Sequence, residues 1–152
     1  MFRGANPITM DDKGRIAIPA RYRDELLEDS NGQIVCTIDI YSPCLLLYPM
    51  AEWEQVEKRL RGLRDNNPSE RRYKRLMLGN AVDNEIDKNG RFNISANLRA
   101  HAGLTKQLML VGQLNKFEIW DLAAWEARQA EDMAIIESGD FELTDNLQDF
   151  NL

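Results

Sequence analysis

The chain has 152 residues, 43% of them hydrophobic and 29% charged, with a formal net charge of −6. That suits one domain, or two small intimately packed halves, with an ordinary core. No apolar run approaches the length of a membrane span, and Met1-Phe2-Arg3-Gly4-Ala5-Asn6-Pro7 has no apolar signal core, so neither a membrane protein nor a signal peptide is expected. Residues 1–10 read as a short arm and strand. Residues 15–18 read as a second strand, with Ile16 and Ile18 on one face and Pro19 as its stop. Residues 20–27 read as a short helix carrying Tyr22 and Leu26 inward. After Asn31-Gly32, residues 33–39 alternate, with Ile34, Cys36 and Ile38 on one side. Ser42-Pro43 breaks the chain, and residues 44–48 read as a strand buried on both faces.

Residues 51–64 read as an amphipathic helix with Trp53, Val56, Leu60 and Leu63 as its stripe. Asn67-Pro68-Ser69-Glu70 is a helix start, and that helix runs to Gly79 with Tyr73, Leu76 and Met77 inward. Strands follow at 81–86 and 91–94, then a short helix at 96–102 stopped by Gly103. Strands at 107–111 and 116–120 flank a turn at 112–115. Asp121 is expected to cap a helix running to about residue 136, with Leu122 and Trp125 inward. The acidic remainder is expected to be partly disordered or docked on a neighbour.

One stretch organises the chain. Asp11-Asp12-Lys13-Gly14-Arg15-Ile16-Ala17-Ile18 recurs as Asp87-Lys88-Asn89-Gly90-Arg91-Phe92-Asn93-Ile94. Each copy reads as a hairpin turn feeding a strand, with the Asp capping the turn and the Gly supplying a positive φ. The glycines are 76 residues apart (90 − 14), whereas the matching Trp53 and Trp125 are 72 apart (125 − 53). The difference of four is assigned to a longer loop near Asp29-Ser30-Asn31-Gly32. The chain therefore reads as a duplication: a first repeat over 1–66, a connecting basic helix over 67–80, a second repeat over 81–136 and an acidic tail over 137–152.

The net charge argues against a nucleic-acid partner, but its distribution reverses that. Residues 121–152 hold nine acidic residues and one basic, Arg128, which leaves +2 over residues 1–120. Basic residues cluster at Arg3, Lys13, Arg15, Arg21 and Arg23, and again at Arg71, Arg72, Lys74 and Arg75; the local patch governs binding. Lys13 and Arg15 bracket a glycine and could project together toward a major groove. Arg91 sits among Asp83, Glu85 and Asp87, and a solvated strand-start Arg is as good a reading there. The 71–75 run is a solvated helix face or a phosphate contact. No catalytic residue is expected, because nucleophile elbow, P-loop and dinucleotide fingerprint are all missing. A lone His101 suits a helix C-terminus. Cys36 and Cys44 read as buried thiols of a cytosolic protein, with no metal and no cofactor. A ring-forming scaffold for protein partners is the alternative function, and a small-molecule enzyme on a related barrel is a remote third.

Met1-Phe2-Arg3-Gly4, the two turns, Tyr22-Arg23, Cys36-Thr37-Ile38-Asp39, residues 45–49 with Trp53, and Gly112-Gln113-Leu114-Asn115-Lys116-Phe117-Glu118 closely resemble the MraZ family of transcriptional regulators. The resemblance covers nearly the whole chain and is weakest in the tail. It implies an α+β fold, an AbrB-like swapped-hairpin β-barrel built from two tandem repeats and wrapped by helices. It also implies a cytoplasmic, nucleoid-associated ring homo-oligomer that binds tandem promoter repeats of the bacterial division and cell wall gene cluster. Double-stranded DNA and other copies of the chain are then the partners, with no membrane and no small-molecule substrate. DNA contact is carried onto Lys13, Gly14 and Arg15, with Arg3 beside them and Arg21, Arg23 and Arg91 as secondary contacts. Ser95 stands where the first copy has Pro19, a departure in the second turn's strand.

Overall fold

The computed structural model describes residues 1–150. They divide between two compact units, Met1–Leu122 and a C-terminal one beginning at Ala123. In the first unit the strands are β1 (Ala5–Thr9), β2 (Arg15–Ala17), β3 (Gln33–Ile38), β4 (Leu45–Pro49), β5 (Val82–Glu85), β6 (Arg91–Asn93), β7 (Gln107–Gly112) and β8 (Phe117–Asp121). Its helices are α1 (Ala20–Ser30), α2 (Met50–Arg61), α3 (Pro68–Gly79) and α4 (Ala96–His101).

The turns do not close hairpins. β1 pairs with β7, and β2 pairs with β6, so each strand flanking the first turn finds its partner in the other repeat. β5 in turn pairs with β3. A turn signal describes local backbone only; the partner of the strand it feeds is a long-range matter. Six strands form one antiparallel sheet in the order β1-β7-β8-β4-β3-β5, and β2-β6 is a separate two-stranded ribbon. The expected closed barrel is therefore absent among the described residues. β1 touches β2 and β5 touches β6, but no ladder joins them. β2 and β6 are three residues each, and Pro19, which has no N–H to donate, ends the extended run after β2.

Two apolar layers hold the sheet. On one face Ile34, Cys36, Leu45, Leu47, Leu108, Leu110, Phe117 and Ile119 pack with Ile16 and Phe92 of the ribbon, Tyr22 and Leu26 of α1 and Leu98 of α4. On the other, Val35, Leu46 and Tyr48 pack with Trp53 and Leu60 of α2 and Met77 of α3. β3 and β4 are thus buried on both sides, as their continuous apolar runs require. Thr37 is fully buried, and its hydroxyl donates to the Met77 carbonyl at 2.9 Å. α3 starts as its sequence dictates: the Asn67 side chain accepts from Ser69 N and Glu70 N, and Pro68 occupies the first turn. Leu76 is 38% exposed, a correction to its inward placement; only Met77 of that helix is buried.

The four-residue length difference is split rather than lodged in one loop. The starts of β3 and β7 are 74 apart (107 − 33), and those of β4 and β8 are 72 apart (117 − 45). Two residues are absorbed before β3, where α1 continues to Ser30 and Asn31 caps it at φ 53°. The other two lie in the connection at 39–44, six residues against four at 113–116. Asp121 does not stand free as a helix cap, because its Oδ1 accepts from Thr105 N at 3.0 Å and Thr105 Oγ1 at 2.6 Å.

The helix α5 (Leu122–Ser138) has no fully buried residue, and Leu122 and Trp125 are half-buried. In the C-terminal unit a short α6 (Asp145–Gln148) follows, capped by the Thr144 hydroxyl. This helix lies within the stretch expected to be a tail; the last two residues of that stretch are outside the described ones.

Candidate nucleic-acid interface

Each turn is built from one aspartate and one glycine. Asp11 Oδ1 accepts from Lys13 N at 3.0 Å and Arg15 N at 2.9 Å; Asp87 Oδ1 accepts from Asn89 N at 2.8 Å and Arg91 N at 2.9 Å. Those bonds favour the ionised carboxylates. The backbone N–H of Arg15 is the main reason Asp11 titrates below its ordinary value, and that of Arg91 does the same for Asp87. Gly14 and Gly90 have φ of 86° and 75°, a region closed to most side chains.

The turns dock on each other's repeats. Ile94 N donates to Gly14 O and Ile18 N donates to Gly90 O, both at 2.8 Å. A Cβ on Gly14 would lie 2.7 Å from Ile94 O, and one on Gly90 would lie 2.8 Å from Ile18 O. Glycine is therefore required twice over, by backbone and by space.

Between the turns lies the ribbon. Its register sets Arg15 opposite Asn93, Ile16 opposite Phe92 and Ala17 opposite Arg91. Ile16 and Phe92 point into the core, and Arg15, Ala17, Arg91 and Asn93 form the exposed face. Arg15 and Arg91 are diagonal neighbours on that face, a relation that places them about 7–8 Å apart. Their side chains are held differently. Arg15 Nε donates to Asp11 Oδ2 at 2.7 Å, and among the described residues its two terminal nitrogens make no hydrogen bond. Arg91 makes no matching side-chain bond to Asp87. Asn93 Nδ2 donates to Lys13 O at 2.7 Å, a further tie from the second repeat to the first turn.

The other sequence candidates lie elsewhere. Arg3 is exposed at the far end of β1, and a five-residue strand separates it from the first turn by about 17 Å. Arg21 lies over the Tyr22 ring, and both Arg21 and the Tyr22 hydroxyl bond to the Arg3 carbonyl. Arg23 sits against Gly90, at the second turn, and donates to Ile18 O at 3.0 Å. Arg71, Arg72, Lys74 and Arg75 are on α3, across the sheet from the ribbon; Lys74 pairs with Asp65 at 3.2 Å.

One residue was missed by the sequence reading. Arg99 of α4 lies against Gly14, where a Cβ would meet its Nε at 2.7 Å. It is the counterpart of Arg23, 76 residues away (99 − 23), the same offset as the two glycines. Extending the repeat through the short helices would have found it.

Two other clusters are unconnected with the ribbon. A cavity of about 700 Å³ lies between the sheet and the α2–α3 hairpin, lined by Tyr48, Arg59, Tyr73 and Lys116 among others. Burial pushes the Tyr48 hydroxyl up to about 12. Asp39, Cys44 and Glu118 bring ligand atoms within 4.8 Å of one another, but Cys44 Sγ lies 3.5 Å from Asp39 Oδ2 as its hydrogen-bond donor, and Glu118 accepts from Trp120 Nε1 at 2.9 Å. Both cysteines are buried, and burial raises the Cys36 thiol to about 12. No helix among the described residues is long and apolar enough to cross a membrane.

Comparison with known proteins adds an independent finding. The sequence model of the family described as "MraZ protein, putative antitoxin-like" matches residues 1–76 and 77–147. Proteins named transcriptional regulator MraZ are similar along the full 152 residues, covering 100% of each chain: 57% identical in Pseudoalteromonas atlantica, 57% in Idiomarina loihiensis and 52% in Escherichia coli.

Proposed function

The chain belongs to the MraZ family, and from that premise we propose that it regulates transcription by reading promoter DNA with the outer face of the β2–β6 ribbon. The family is one of transcriptional regulators, not of enzymes. A two-stranded ribbon fits a major groove, and arginine is suited to guanine O6 and N7. The observation that carries the reading is the Arg15–Asp11 pair on that face. Held at Nε, the guanidinium keeps both terminal nitrogens for a bidentate contact and loses little rotamer freedom on binding. Lys13 sits two residues away at the turn tip and neutralises a phosphate; Gly14 keeps the tip free of a side chain. Arg91 is a lesser contact on the same face. Arg3 contacts the backbone further along the duplex. Arg21 and Arg23 act through the protein, by fastening the arm and the second turn.

The cross-repeat pairings support a swapped-hairpin, pseudo-dimeric architecture of the AbrB-like kind, with repeats at 1–66 and 81–136, a connector at 67–80 and the acidic stretch from 137. Such a chain presents one strong turn and carries net charge −6, so a single copy binds one site weakly. A ring of copies in the cytoplasm, associated with the nucleoid, presents several turns to tandem promoter repeats of the division and cell wall gene cluster. Avidity then rises by about 10²–10⁴ without any new contact. The test compares one repeat with three in tandem, using DNA from upstream of the protein's own gene. Tandem DNA binds far more tightly, and inserting half a helical turn between repeats removes most of the gain. Equal binding per site, or indifference to the insertion, overturns the reading.

A further inference from the structure

We propose that Arg99, supplied by the second repeat, binds a DNA backbone phosphate at the first turn and with Lys13 forms a composite phosphate site beside Arg15. The inference rests on the ribbon being the DNA-binding surface. α4 is anchored by Leu98 and Ala102 in the core, so Arg99 projects from a fixed base. Its guanidinium lies on the bare face of Gly14, between Lys13 and Arg15 in the chain. Nε is sealed there without a hydrogen-bond partner. The terminal nitrogens are not sealed in, and among the described residues they form no hydrogen bond or ion pair, although the Ile94 carbonyl lies beside the guanidinium as Ile18 O does at the second turn. A half-buried guanidinium without an acceptor is a costly arrangement that an anion relieves, and phosphate oxygens match its geometry.

The equivalent position shows what a structural arginine looks like here. Arg23 has its Nε sealed in the same way against Gly90, but a terminal nitrogen donates to Ile18 O. Its charge also acts on Asp87, which it helps hold ionised; at the first turn the backbone N–H groups of Arg15 and Lys13 and the Arg15 side chain hold Asp11 ionised. At the second turn a terminal nitrogen of the arginine is bonded within the protein; at the first, among the described residues, none is.

The test measures binding of the full chain to the duplex upstream of its own gene, and to a scrambled duplex of equal length, across a salt series. Arg99→Ala weakens both duplexes alike, about tenfold per engaged subunit, and lowers the log–log salt slope by about 0.9 per engaged subunit. Arg99→Lys, which restores a cation but not the fork, keeps the slope. Arg23→Ala lowers thermal stability and leaves the slope as in wild type. An unchanged slope in Arg99→Ala, or an equal drop in Arg23→Ala, makes Arg99 a buttress only and overturns the proposal. Arg15→Ala, measured alongside, separates the failures: if it binds the specific duplex as wild type does, the ribbon reading itself falls.

Discussion

The first and second turns share a backbone and differ in what surrounds it. Both have an aspartate accepting two backbone N–H groups, a glycine at positive φ and a docking bond to an isoleucine of the other repeat. In the first, the aspartate also holds its own arginine by a side-chain hydrogen bond; in the second, Arg91 makes no such bond to Asp87, and Arg23 is engaged with Ile18 O. The shared parts are those the core needs, since Ile16 and Phe92 enter it only if both turns are made. Of the divergent parts, Arg15 and Arg91 face outward, where packing imposes nothing, whereas Arg23 is packed against Gly90.

The largest expected effect tests the shared part. Gly14→Ala and Gly90→Ala each force a side chain into a left-handed conformation and against a carbonyl oxygen. Each should lose about 1–3 kcal/mol of stability, or several degrees in the melting temperature. A neutral result at either position breaks the equivalence of the turns.

Next comes the divergent part. Arg15→Ala should melt as wild type does and lose about 1–3 kcal/mol of specific affinity per engaged subunit. Arg91→Ala should lose clearly less, because Asp83 and Glu85 are exposed on the neighbouring β5 and repel phosphate. Equal losses in the two variants would mean that the duplex sits symmetrically over the ribbon.

Lys13→Ala sharpens the distinction between reading and holding. It should weaken specific and scrambled DNA alike and lower the salt slope by about 0.9 per engaged subunit. Lys88→Ala at the second turn should leave the slope where it was, and a matching fall there would contradict the assignment.

Acid titration should show the smallest effect. Asp11 and Asp87 both have folded-state values below the ordinary 3.8. Their contribution to stability is present above the unfolded value and is lost as the pH falls through the folded one. Both carboxylates are exposed, so the effect is modest, and neither turn should change near neutral pH. Carboxyl NMR titration checks this; a transition of either aspartate above pH 3.8 would reverse the sign.

Local structure was legible in the sequence, and pairing was not. Every strand and the helices to α5 appear close to where periodicity and caps put them, because those signals act within a few residues. Asn67-Pro68 started α3 as it should, and Asp11 and Asp87 cap the turns. The reading that failed was the hairpin, since β2 meets β6 across 76 residues and no local signal selects that partner. Arg99 escaped for the same reason: its neighbour in space is Gly14. α6 was hidden by acidic composition, which obscures a helix of one turn.

The most direct test of the central claim reads the guanine itself. Dimethyl sulfate methylates guanine N7 in the major groove, the atom that Arg15 is assigned to engage. The wild-type chain should protect one guanine N7 per engaged repeat, Arg91→Ala should keep that protection, and Arg15→Ala should lose it at concentrations that still saturate the DNA. Protection that survives Arg15→Ala, or no N7 protection in the wild type, would contradict the account.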